Sequence, residues 1–267
     1  MGVTRQWIHC LLYGESGTRK TTMAATFPTP ALVLQFDPPD KAGPYFKRAA
    51  KVTPVDDAWY TSRRIECVRL WDEKDNLLYQ VEFYNDPEPE YPTAYRYYME
   101  RVVRPRQQAT GGIYHEAGNP WQTIILDSVT FLTEATLADS RINRNPHYRD
   151  GRLHYADAGI DTTRELMARY VNMPCNTVII AHTAEEKKAF ETSEGVIRGA
   201  AAIGKLAKSL PTGYGEVYRA FLPEKDATKD PLIQTRYFGG WSAASQIGAP
   251  DPCEMDYAKL WGTPPQP

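Results

Sequence analysis

Gly14-Glu15-Ser16-Gly17-Thr18-Arg19-Lys20-Thr21-Thr22 follows directly on the largely apolar run Trp7-Ile8-His9-Cys10-Leu11-Leu12-Tyr13. An apolar run that stops at a glycine reads as a buried strand entering a tight loop. The loop fits the pattern G-x-x-x-x-G-K-[ST], in which backbone N–H groups wrap phosphates, the lysine reaches the β and γ oxygens and the hydroxyl holds Mg²⁺. One position departs from it. Arg19 stands where the pattern has its second glycine, at a point where the backbone curls so closely that a Cβ is normally unwelcome. A glycine-rich strand-to-helix turn with no ligand at all reads in much the same way. Context argues against that bland reading, because the loop follows one strand, opens a helix at residues 20–26 and precedes a second strand at 31–36.

Working outward, the second strand ends in the turn-rich Asp37-Pro38-Pro39-Asp40 and completes a βαβ unit. Residues 65–70 and 77–83 alternate apolar with polar and predict a β-hairpin, read here as an insertion spanning about 60–85. A helix is expected over 93–103. Residues 121–127 (WQTIILD) form a third buried strand, and Ser128 is placed to cap a helix running to about Arg141. The stretch 143–159 reads as a polar link, 161–171 as a helix, and 176–181 as a fourth buried strand ending at His182. Late strands are expected within 216–222 and 232–237. Apolar strands alternating with helices mean an α/β fold with a mostly parallel central sheet covered on both faces. The expected organisation is one domain over 1–247 and a proline-rich tail over 248–267, packed on the surface or mobile.

A chain of 267 residues with 42% apolar and 24% charged residues is neither disordered nor fibrous and is long enough to bury a full core. Its formal charge of -2 excludes a uniformly basic nucleic-acid coat but leaves room for a local basic patch. Cys10, Cys67, Cys175 and Cys253 are far apart and form no metal-spaced pair, so reduced thiols are expected. With no membrane-length apolar run and no signal-peptide pattern, a cytoplasmic protein is expected.

Three further positions carry candidate chemistry. Asp127 ends an apolar strand, the placement from which a carboxylate holds Mg²⁺ through water beside the Thr21 hydroxyl; Asp as a helix cap is the weaker alternative. His182, at the tip of the fourth strand, reads either as a sensor of the γ-phosphate or as a hydrogen-bonded strand end. Asp40 and Asp37 are candidates to orient the attacking water, against a reading of both as turn formers.

These segments together, from LLYGESGTRKTTMAATFP through LVLQFDPPDKAGPY, TIILDSVTFL, VIIAH and GYGEVYRAF to APDPCE, resemble the RecA-like P-loop ATPases of tailed phages. That family is described as ATP-dependent single-strand annealing or recombination proteins related to the RadA and KaiC cores. The resemblance covers most of the chain. It implies ATP and Mg²⁺ as cofactors, with Lys20 and Thr21 on nucleotide and metal, Asp127 as the Walker B carboxylate and His182 as the sensor-like residue. It implies a homo-oligomer acting on single-stranded DNA, with a single-strand-binding protein as a possible companion. DNA would meet the loops holding Arg141, Arg144, Arg149 and Arg152, with Tyr148 and Tyr155, and then Arg198, Lys205 and Lys208. Backbone neutralisation plus base stacking suits that composition. A cation from the next subunit, Arg236 or Lys225, would complete the site. Arg19 departs from the family pattern, and two other readings stay open: a catalytically weakened scaffold that binds nucleic acid or a protein, and a small-molecule kinase with the hairpin as its lid.

Overall fold

The computed structural model describes residues 7–86, 88, 90–102, 120–164, 169–183, 191–192, 195–196, 200, 210–223, 230–238 and 240–262. In chain order the elements are β1 (His9–Gly14), α1 (Lys20–Ala24), β2 (Ala31–Gln35), α2 (Gly43–Phe46), β3 (Lys51–Pro54), α3 (Ala58–Arg63), β4 (Glu66–Trp71), β5 (Leu77–Phe83), α4 (Ala94–Val102), β6 (Thr123–Asp127), α5 (Val129–Asp139), α6 (Gly151–Arg164), β7 (Asn176–His182), the short hairpin β8 (Glu191–Thr192) and β9 (Gly195–Val196), β10 (Glu216–Phe221), β11 (Leu232–Gln234), β12 (Ala244–Ser245), β13 (Cys253–Glu254) and α7 (Tyr257–Trp261).

Among the described residues, eleven strands form one sheet in the order β13-β11-β10-β1-β7-β6-β2-β5-β4-β3, with β12 pairing β10. The strands from β10 to β5 run parallel. Both edges are antiparallel. The unbroken apolar runs of the central strands follow from burial on both faces. Successive side chains point to opposite faces, so Leu11, Leu32, Leu34, Ile124, Leu126 and Ile179 enter one core while Cys10, Leu12, Val33, Ile125, Val178 and Ile180 enter the other. Tyr60, Tyr98, Val129 and Leu132 from α3, α4 and α5 cover the first face. Met23, Tyr45, Tyr257 and Leu260 from α1, α2 and α7 cover the second.

The expected α/β class and strand sequence are present, with four differences in detail. The β4–β5 hairpin is not an appendage: β5 pairs in parallel with β2, so the hairpin and β3 extend the central sheet. The hairpin therefore does not stand as a free lid of the kind the kinase reading assigned to it. Ser128 occupies the N-cap position of α5 without bonding its backbone, because its hydroxyl is committed to the Asp37 carboxylate instead. The stretch read as a polar link contains most of α6, which Asp150 begins by accepting a hydrogen bond from the Arg152 N–H. Residues from 248 onward are not a loose tail up to residue 262. Cys253 pairs with Ile233 in the sheet, and the Tyr257 and Trp261 rings both stand 5.1 Å from Phe27.

The tyrosine excess is largely a core feature. Tyr13, Tyr45, Tyr79, Tyr98, Tyr170 and Tyr218 are fully buried, and their hydroxyls reach internal partners, as in the 2.6 Å bond from Tyr79 to the Ala25 carbonyl. All four cysteines are buried free thiols. No described helix is long and apolar enough to cross a membrane.

Candidate nucleotide-binding site

Four parallel strands bring their C-terminal ends to one edge of the sheet. Gly14 of β1 is in register with His182 of β7, and Asp127 of β6 is in register with both Ile180 of β7 and Gln35 of β2. That edge is where open α/β sheets bind ligands. Because β7 lies between β1 and β6, the His182 tip stands between the glycine-rich loop and the Asp127 carboxylate.

The loop is shaped by its glycines. A Cβ on Gly14 would lie 2.4 Å from the Ala220 carbonyl oxygen of the adjacent strand, so only glycine fits there. Gly17 turns the chain at φ +81. Thr18 then closes the turn by donating its hydroxyl proton to the Glu15 carbonyl at 2.7 Å. Arg19 adopts the left-handed conformation, φ 57 and ψ 29, that the pattern's glycine would take without cost. Its side chain points away from the loop interior, and its Nη1 lies 2.6 Å from Asp230 Oδ1. The chain therefore keeps the loop's backbone shape with an arginine in place.

Lys20 is buried at 6% exposure. Its ammonium donates to the carbonyls of Gly14 at 2.9 Å and Glu15 at 2.8 Å, folded back across the loop. Burial lowers its pKa to about 8, partly offset by the charges of Asp127, Asp37 and Glu15. Thr21 donates to Asp127 Oδ2 at 3.0 Å, and the Tyr45 hydroxyl donates to the same oxygen at 3.3 Å. Burial and then the neighbouring Asp37 charge raise the Asp127 pKa to about 7 against those stabilising contacts.

Asp127 Oδ1, by contrast, is buried with no hydrogen-bond partner, as is Gln35 Oε1 nearby on β2. A buried orphaned carboxylate oxygen is costly unless something fills its place. Beside a threonine hydroxyl it offers hard oxygen donors of the kind Mg²⁺ takes. The residues present fit the metal that the loop pattern implies.

Not every expected residue gathers here. His182 is present, but its Nε2 stands 3.3 Å from Asp37 Oδ2 rather than pointing free into the site, and its backbone N–H donates to the Thr130 hydroxyl. Asp37 is the better placed of the two water-orienting candidates: it is buried and links His182 to Ser128. Asp40 lies exposed in the short 3-10 helix Pro39–Ala42, 3.5 Å from the Lys41 ammonium. Tyr45, at the end of the segment LVLQFDPPDKAGPY, and Asp230, outside every quoted segment, carry no sequence signal that marks either as a site residue.

The chain fits one profile with a wide span: a family model described as an AAA domain matches residues 7–243. The chain belongs to the AAA domain family. The match includes the glycine-rich loop, Asp127 and the strands that carry them. No curated protein matches the chain. An AAA domain is a P-loop nucleoside triphosphatase type of domain, which implies nucleotide binding, and the glycine-rich loop, Lys20, Thr21 and Asp127 all lie within the matched span.

The expected DNA-contacting residues are placed unequally. Arg144 is exposed at the surface yet engaged by its own neighbours, with its Nε 2.6 Å from Asp139 Oδ2, its Nη1 against Asp161 and its guanidinium over the Tyr95 ring at 5.5 Å. It ties Asp139 of α5 to Asp161 of α6. Arg141, Arg149 and Arg152 are exposed, and the Arg141 guanidinium lies 5.5 Å from the Tyr155 ring centre. They sit beyond the far end of the 11-residue helix α5, about 16 Å of helix from Asp127 at 1.5 Å per residue. Arg198, Lys205, Lys208 and Lys225 lie outside the described residues. Arg236 is described and exposed.

Proposed function

We propose that this AAA domain binds and hydrolyses ATP with Mg²⁺, and that it is a RecA-like protein of phage type acting on single-stranded DNA in recombination or annealing. The observation that carries the nucleotide reading is the convergence of Lys20, Thr21 and the half-satisfied Asp127 carboxylate at one sheet edge. In that reading the loop N–H groups and Lys20 hold the β and γ phosphates, while Thr21 and Asp127 hold the metal, which offsets phosphate charge when bound. Asp37, steadied by Ser128 and His182, is the group placed to orient water.

The DNA reading is supported by the exposed Arg141, Arg149 and Arg152, with Tyr155 beside Arg141. Phosphate neutralisation by such arginines and stacking on such a tyrosine suit a single strand. Oligomerisation would let a cation such as Arg236 meet the next subunit's nucleotide. The test is steady-state ATP hydrolysis with and without single-stranded DNA, in the wild type and in the triple variant Arg141→Ala/Arg149→Ala/Arg152→Ala. Stimulation that disappears in the triple variant supports the reading; turnover indifferent to DNA in both proteins rejects the DNA part and leaves the ATPase part standing.

One observation favours a second reading, a weakened P-loop scaffold. Arg19 holds a left-handed conformation that disfavours any residue with a Cβ. Turnover that is absent in the wild type and restored by Arg19→Gly would select that reading.

A further inference from the structure

The side chains of Arg19 and Asp230 meet across the mouth of the glycine-rich loop, and neither makes another ion pair among the described residues. Asp230 stands two residues before Leu232, which pairs with Phe221 of β10. β10 in turn pairs with β1, with Ala220 opposite Gly14. The carboxylate is thus held above the same sheet edge that carries the loop. The Arg19 and Asp230 side chains are 55% and 86% exposed, with 2.6 Å between Nη1 and Oδ1. Water screens such a pair, so it contributes little to the fold. The loop nevertheless keeps an arginine at a φ of 57 where a glycine would rest unstrained.

We infer that Arg19 is a ligand of the nucleotide's β and γ phosphates, supplied in cis, and that Asp230 is the anion it rests on while the site holds no nucleotide. This rests on the nucleotide-binding reading of the site. The physical basis is competition for one guanidinium. A single exposed carboxylate offers a screened charge, whereas a triphosphate beside Lys20 offers several charged oxygens in bidentate geometry, which arginine binds more strongly. Arg19 precedes Lys20 directly, so a guanidinium released from Asp230 has only to turn over the loop's rim. On this account the departure from the glycine pattern adds a cation to the site instead of disabling it.

The test measures ATP affinity by calorimetry at low salt for the wild type, Arg19→Gln, Arg19→Lys, Asp230→Asn, the double variant Arg19→Gln/Asp230→Asn, and Lys20→Ala. Glutamine and lysine keep the Cβ, so loop strain is held constant and only the charge changes. Arg19→Gln is expected to weaken ATP binding by about tenfold, the loss of one charge-assisted contact, with AMP affinity unchanged and Arg19→Lys partly restoring ATP affinity. Asp230→Asn, at an exposed position that leaves the fold intact, is expected to tighten ATP binding by about two- to fivefold. That gain should vanish in the double variant. Equal or tighter ATP binding by Arg19→Gln, or an Asp230→Asn effect that persists without Arg19, overturns the inference. If Lys20→Ala binds ATP as the wild type does, the nucleotide-site reading itself fails; if only Lys20→Ala loses binding, the site stands and Arg19 has no part in it.

Discussion

The Thr21 hydroxyl donates to Asp127 Oδ2 at 3.0 Å while Oδ1 of the same carboxylate, equally buried, meets nothing. The two residues are 106 positions apart in sequence, on α1 and β6, and their pairing defines one wall of the site. It also sets the site's response to pH. With Asp127 titrating at about 7 and Lys20 at about 8, the state with an ionised carboxylate and a protonated ammonium is most populated between those values.

Binding of Mg²⁺-ATP should therefore be tightest between about pH 7 and 8. Below that interval the metal must displace a proton from Asp127, so affinity falls and protons are released. Above it, Lys20 must take up a proton to meet the phosphates. Calorimetry in two buffers of different ionisation enthalpy, at pH 6.5 and 8.5, checks this through opposite signs of proton exchange.

Asp127→Asn should stabilise the nucleotide-free protein at pH 8. The folded-state pKa of Asp127 is raised, so its contribution is most favourable below the unfolded value near 3.8 and is lost as pH rises through about 7. Above pH 7 the fold carries a buried charge beside Asp37, and removing it should gain on the order of 1 kcal/mol or more. Thermal melts at pH 8 and pH 4 should show the variant's advantage at the first and little at the second, with Mg²⁺-dependent binding lost.

Arg144 and its neighbours should separate fold from ligand. Arg144→Ala leaves Asp139, 6% exposed, without its cation and should cost about 1–3 kcal/mol in urea melts, with no change in the salt dependence of DNA binding. Arg141→Ala, Arg149→Ala and Arg152→Ala should leave melts unchanged and each lower the salt slope by about one.

The last helix is structural. Leu260 is 7% exposed in the core on the Phe27 face, so Leu260→Ala should destabilise by about 2–4 kcal/mol in a urea titration. A chain ending at residue 247 loses β13 and α7 together and should not fold cooperatively.

How much of this was legible in the sequence depends on how local each signal is. The central strands were readable because burial on both faces makes them continuous apolar runs, as in ALVLQ and TIILD. That Lys20, Thr21 and Asp127 would meet at one sheet edge was readable because strand ends and a spaced loop fix their places. The placement of the β4–β5 hairpin was not, since its alternation gives the pairing of β4 with β5 but not the third partner, β2. Residues 248–262 carry prolines that suggest a tail, while the aromatic contacts of Tyr257 and Trp261 with Phe27 bridge more than 200 positions and leave no local trace. Arg144 looked like its exposed neighbours because the three aspartates around it are contributed by two helices. Arg19 was legible only as a departure from the glycine pattern, either weakening the loop or tolerated with its side chain outward, because its backbone angle and its Asp230 partner are visible only in three dimensions.

The central claim is that the loop from Gly14 to Thr22, with Asp127, holds a magnesium nucleotide. Calorimetric titration of Mg²⁺-ATP into the wild type and into Lys20→Ala at pH 7.5 tests it most directly. Saturable binding by the wild type, weakened at least about a hundredfold in Lys20→Ala through loss of a buried charge on phosphate, is the predicted result. Wild-type protein that binds no nucleotide, or Lys20→Ala binding it equally well, would contradict the account.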